Sequence, residues 1–131
     1  DMKVHRVCLA LGEAYALSKN EEQAKKVYAR AIDVYCKNGG TRQTNLDTLV
    51  GRQGHSYSSI NKYDIAAFCY KWAAQLKEGI YGNNHYKAGA MLNNYAMALD
   101  HVGETAQANA VRARAQNMQE GKEASETADK D

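Results

Sequence analysis

Apolar residues along this chain recur at helical rather than strand spacing, in six runs separated by short polar breaks. The first run predicts a helix from about Met2 to Ser18, with Val4, Val7, Cys8, Leu11 and Tyr15 turned inward. The break Ser18-Lys19-Asn20 follows. Asn20 reads as an N-cap, with Glu21 and Glu22 in the first turn where the helix dipole favours acids and Gln23 completing part of a capping box. The second helix continues through Val27, Tyr28, Ala31, Ile32, Val34 and Tyr35 and stops at Asn38-Gly39-Gly40. A third is expected from Thr41 or Thr44 through Tyr57, and a fourth from about Tyr63 to Ile80, carrying Ile65, Phe68, Cys69, Tyr70, Trp72 and Leu76. The fifth spans about His85 to His101 and presents Ala88, Met91, Leu92, Tyr95 and Leu99. The sixth offers only Ala108, Val111, Ala115 and Met118 at helical spacing.

The runs repeat. Gly12, Tyr15, Ala24, Tyr28 and Ala31 return 42 residues later as Gly54, Tyr57, Ala66, Tyr70 and Ala73. A further 42 residues on stand Ala96, Leu99, Ala108, Arg112 and Ala115, where only Arg112 departs in type. Such self-similarity takes precedence over other sequence signals. It predicts three helical hairpins, units of about 2–40, 41–82 and 83–120, followed by a polar tail over 121–131 expected to be disordered. Gly51 and Gly54 each cost the third helix about 1 kcal/mol relative to alanine. Close packing within the hairpin accounts for Gly54, whereas the pattern gives Gly51 no partner.

Leu11-Gly12, Tyr15, Ala24, Tyr28 and Ala31 resemble the tetratricopeptide signature of small and aromatic residues, whose usual period is about 34 residues. The longer unit, with Leu92-Asn93-Asn94-Tyr95-Ala96 and the connector Tyr81-Gly82-Asn83-Asn84-His85, resembles the kinesin-light-chain type of that repeat. The resemblance covers roughly residues 5 to 118, and Val50-Gly51-Arg52-Gln53-Gly54 replaces the Leu-Asn-Asn run in the middle unit. It implies an all-α fold, a right-handed α-solenoid of three antiparallel hairpins whose first helices line a concave groove. With Leu11 at the centre of the packed face, Arg6, Leu9, Glu13 and Ala16 fall at about 140–220° from it. The register carries that groove face to Thr48, Gly51, His55 and Ser58, and then to Ala90, Asn93, Met97 and Asp100, with Arg52 and Asn94 alongside. By resemblance, Asn93 and Asn94 hold an extended peptide through their amides; a solvated helix residue is the plainer reading of Asn93. Leu9, Leu17 and Met97 would add apolar contact. Only Arg6, Arg52 and the asparagine pair could grip a terminal carboxylate, and Glu13 and Asp100 oppose them, so no such clamp is expected.

Composition narrows the function classes. The 131 residues include no proline, and nine tyrosines against one Phe and one Trp make tyrosine the main bulky core residue. The net charge is +2; Gln119–Asp131 holds five acids and two lysines, a net of −3, leaving +5 elsewhere. No basic run exceeds Lys25-Lys26, so nucleic acid is not an expected partner. Cys8, Cys36 and Cys69 are odd in number with no CxxC pair, which argues against a disulfide framework and for a reducing compartment. No apolar run approaches a membrane span, and Asp1 to Arg6 lack the apolar core of a secretory leader. A cytoplasmic location is the expectation, although a mature exported chain would begin in the same way. His5, His55, His85 and His101 show no metal-ligand spacing, and phosphate-loop and nucleophile-elbow motifs are lacking. Neither an enzyme nor a cofactor is expected. His55 is the one histidine that the register projects into the groove.

The pattern therefore predicts a protein-interaction scaffold that holds a peptide or helical segment of another protein. The alternatives are a self-associating structural repeat, because three units leave two end faces uncovered, and a portion of a longer array.

Overall fold

Helices α1 (Met2–Leu17), α2 (Glu21–Lys37), α3 (Leu46–Ser59), α4 (Tyr63–Tyr81), α5 (Gly89–His101) and α6 (Thr105–Lys130) follow one another in a computed structural model, with a 3-10 turn at Tyr86–Ala88. The structure describes residues 2–37 and 46–130, and side-chain surroundings for all of these but 2–6, 9, 35–36, 124–125 and 127–130. No strand occurs among the described residues. The expected stop at Asn38-Gly39-Gly40 and the expected starts at Thr41 or Thr44 lie outside them.

One turn is built three times. Lys19, Asn61 and Gly103, spaced 42 apart, each adopt a left-handed φ, of 68°, 62° and 88°. The residue after each returns its N–H to a carbonyl five residues back: Asn20 to Tyr15 at 2.7 Å, Lys62 to Tyr57 at 2.9 Å and Glu104 to Leu99 at 2.9 Å. This is the Schellman closure, and it leaves Asn20, Lys62 and Glu104 to open the next helix by accepting from Ala24, Ala66 and Ala108. Helix ends at 17, 59 and 101 and helix starts at 21, 63 and 105 keep the same interval. The 42-residue period is therefore present in backbone geometry as well as in residue type.

The chain divides into two compact units at Asn45/Leu46. In the first, α1 and α2 form a hairpin around buried Gly12, Ala16, Ala24, Tyr28, Ala31 and Ile32. A Cβ on Gly12 would lie 2.8 Å from Tyr28 Cζ, so the ring rests directly on the α1 backbone. This contact turns α1 about its axis. Val7 and Leu11, expected inward, are 57% and 48% exposed, while Ala16, expected on the opposite face, is fully buried. The packed stripe centres on Gly12 and Ala16, and Leu11 lies at its flank.

In the second unit α4 packs against both α3 and α5, α6 packs on α5, and the 3-10 turn touches α4, α5 and α6. Tyr57, Ile65, Cys69, Tyr70, Leu76, Leu92, Tyr95 and Leu99 are buried there, with Phe68 and Trp72 half-buried edge to face at 6.3 Å. Gly54 repeats the Gly12 contact: its Cβ would meet Tyr70 Cε1 at 2.7 Å. In the third hairpin Ala96 and Arg112 occupy those places, and Arg112 bonds Asp100 at 2.6 Å. Helix α6 continues to Lys130, so residues 121–130, expected to be disordered on composition, are helical. Alanine, glutamate and lysine there are strong helix formers, and Lys122 stands 3.9 Å from Glu126 one turn on.

Two expectations follow from these surroundings. Gly79 sits in the last turns of α4 with nothing within 4 Å of the place a Cβ would take. Gly79→Ala is expected to raise stability by about 0.5–1 kcal/mol, read from the urea midpoint. Cys69 is buried, and burial pushes its thiol up from 9.0 to about 12. The folded chain thus keeps a proton that the unfolded chain releases above 9.0. Stability from the neutral thiol is complete below pH 9 and declines as pH rises toward 12, by up to about 1.4 kcal/mol per pH unit. Urea midpoints over that range are expected to fall less steeply in Cys69→Ala; burial raises Tyr70 and Tyr95 as well, and their share of the decline persists.

Candidate functional site

Helix α3 brings Thr48, Gly51, Arg52 and His55 to one side, where they line a hollow of about 160 Å³ together with Asp47, Lys77 of α4 and Met91 of α5. Thr48, Gly51 and His55 belong to the residues singled out by the 42-residue register, and Arg52 is the candidate alongside them. The other three were missed. The floor forms where Met91 descends on Gly51: a Cβ at Gly51 would stand 3.1 Å from the Met91 sulfur and 3.8 Å from Ala73 Cβ. Gly51, which the pattern left unexplained, is therefore the low point that admits a neighbouring helix.

The wall of the hollow is an ion pair. Lys77 Nζ donates to Asp47 Oδ2 at 2.9 Å, with the carboxylate side chain 7% and the lysine 20% exposed. Asp47 falls at helical spacing with Val50, Gly51 and Gly54, and Lys77 with Tyr70, Ala73 and Ala74. A charge inside an apolar stripe needs a partner, so each was a signal available in the sequence. Their pairing across 30 residues was not. On the other side the Tyr70 hydroxyl stands 3.0 Å from His55 Nδ1 and 3.2 Å from Ser58 Oγ, and the His55 and Tyr70 rings meet edge to face at 5.3 Å. That contact fixes the exposed imidazole beside the opening. Arg52 is exposed, and its guanidinium has no hydrogen-bond or ion-pair partner among the described residues.

The remaining register residues lie elsewhere. Ala90 and Asn93 line a separate hollow of about 330 Å³ between α5 and α6. Met97 is 40% exposed on α5, and Asn94 is half-buried. Ser58 and Asp100 turn toward the second helix of their own hairpins, to Tyr70 and Arg112, and so are already engaged. Glu13 is exposed on α1; the side chains of Arg6 and Leu9 lie outside the described residues. Leu17 is 57% exposed at the end of α1.

The first hollow is floored by a glycine and a thioether and walled by a satisfied ion pair, and it opens beside the Arg52 guanidinium and the His55 imidazole. It has room for one aliphatic side chain, with polar groups at the rim for the backbone that carries it. No group of three or more His, Cys, Asp or Glu side chains is placed to hold a metal among the described residues. No helix among them is long and apolar enough to cross a membrane. No family model matches the chain, and no curated protein matches it at a significant level.

Proposed function

We propose that this chain is a protein-interaction module of tetratricopeptide type, a right-handed α-solenoid of the kinesin-light-chain kind, that anchors a segment of another protein on its α3 surface. The observation that carries the reading is the hollow over Gly51, in which Thr48, Gly51, Arg52 and His55 gather around an opening the size of one side chain. An aliphatic residue of the partner enters against Met91 and Gly51. Thr48 and Arg52 meet the polar backbone on either side of that anchor. The threefold turn, with its left-handed residue at Lys19, Asn61 and Gly103, supports the repeat-family part of the proposal.

The test is selection from a random peptide display library on the immobilised chain, with Thr48→Trp as counter-target. Thr48 is exposed, so the larger side chain obstructs the hollow without entering the core. Selected peptides are expected to share one aliphatic position and to lose binding to Thr48→Trp. A library that yields no enrichment, or peptides that bind the variant equally well, would overturn the proposal.

A further inference from the structure

The hollow between α5 and α6 occupies a particular place in the repeat. Subtracting 42 from Gly89, Asn93, Ala115 and Gln119, which line it, gives Asp47, Gly51, Ala73 and Lys77. Those four positions of the α3/α4 hairpin surround the point where α5 sets down Met91. The cavity of about 330 Å³ is thus the α5/α6 version of a seat that, one hairpin earlier, Met91 of α5 partly fills. Tyr86 stands at its rim, 37% exposed.

A matching helix face exists in the same chain. Counting back in the same register, Met91 corresponds to Leu49 and then to Val7, and Tyr95 corresponds to Leu11. On α5, Tyr95 is buried and Met91 half-buried. On α1, Val7 and Leu11 are 57% and 48% exposed, among the most exposed large apolar residues described. The sizes also compensate. The floor residue changes from Gly51 to Asn93, and the residue to be seated changes from the long Met91 to the short Val7.

From this we infer that the chain associates with a second copy head to tail, α1 of one copy docking on the α5/α6 hairpin of the next with Val7 in the hollow floored by Asn93 and Ala115. The contact repeats, between molecules, the way α5 sits on α3/α4 within one. It joins two different surfaces, so each added copy presents a fresh seat to the next. This inference uses a different surface from the peptide hollow on α3, and neither reading depends on the other.

Sedimentation velocity of the full chain from micromolar to millimolar concentration, with two variants, decides it. Val7→Asp spoils the inserting face and leaves the seat intact, whereas Asn93→Trp fills the seat and leaves the inserting face intact; both positions are exposed. The wild type is expected to grow beyond a dimer as concentration rises, and each variant alone to remain a monomer with unchanged helical circular dichroism. An equimolar mixture of the two variants retains one good interface and is expected to stop at a one-to-one dimer. Should either variant lose helix, Leu11→Asp or Ala90→Trp replaces it. A wild type that stays monomeric throughout, variants that associate as the wild type does, or a mixture that yields no dimer would each overturn the inference. A persistent monomer would leave the seat to a helix of some other protein.

Discussion

Gly54→Val is expected to destabilise the chain by about 2–3 kcal/mol, measured as a drop in the urea midpoint at unchanged slope. The added Cβ would stand 2.7 Å from Tyr70 Cε1 and 2.8 Å from Cδ1, both within the ring rather than at its tip. Tyr70 is fully buried, and its hydroxyl is held between His55 and Ser58. The ring therefore has no free direction in which to yield. Valine suits a helix better than glycine by up to about 0.5 kcal/mol, too little to offset the overlap. The cause can be isolated in a double-mutant cycle with Tyr70→Leu, which removes the ring. In that background the cost of Gly54→Val is expected to fall below about 1 kcal/mol. An equal cost in both backgrounds would place the strain elsewhere. Gly12→Val is expected to behave in the same way, because its Cβ would meet Tyr28 Cζ and Cε2 at 2.8 and 2.9 Å.

The same pair shows how far the fold was legible before the structure. Glycine and tyrosine sixteen residues apart, twice at an interval of 42, announced a close hairpin, and the rings do rest on the glycines. The third hairpin dispenses with both together. Alanine replaces the glycine once Arg112 replaces the ring, and Asp100 supplies the carboxylate that the guanidinium needs. Asp100 and Ser58 were expected to face a groove because the helical wheel was centred on Leu11. That column holds Leu11, Gln53 and Tyr95, three residues of different character, so it could not fix the rotation of α1. Features that depend on distant partners were least visible. Gly51 has a reason only when Met91, 40 residues on, is seen above it. In α6 a polar, low-complexity composition masks a run of strong helix formers, and the helix runs on to Lys130.

The other large effect concerns the ion pair beside the candidate site. Lys77→Met removes the one side-chain donor to the Asp47 carboxylate among the described residues, a group that is 7% exposed, and it is expected to cost about 2 kcal/mol. A fully enclosed pair broken on one side costs about 3–5 kcal/mol, but two features reduce the loss here. Asp47 is the second residue of α3, where the helix dipole favours a negative charge, and Lys77 keeps a fifth of its surface in water. Asp47→Leu is expected to cost less, about 1 kcal/mol, because the lysine stem can carry its ammonium outward to solvent. The double variant Asp47→Leu/Lys77→Met leaves no charge stranded and is expected to lie within about 1 kcal/mol of the wild type. Urea unfolding of the four proteins at one pH gives the coupling directly. A double variant no better than Lys77→Met would mean that the pair contributes more than the mutual neutralisation of two buried charges. With its stability restored, the double variant also separates folding from recognition. Its hollow keeps Gly51 and Met91 but has a wholly apolar wall, so any change in the peptides it selects would come from the lost ion pair and not from a weakened fold.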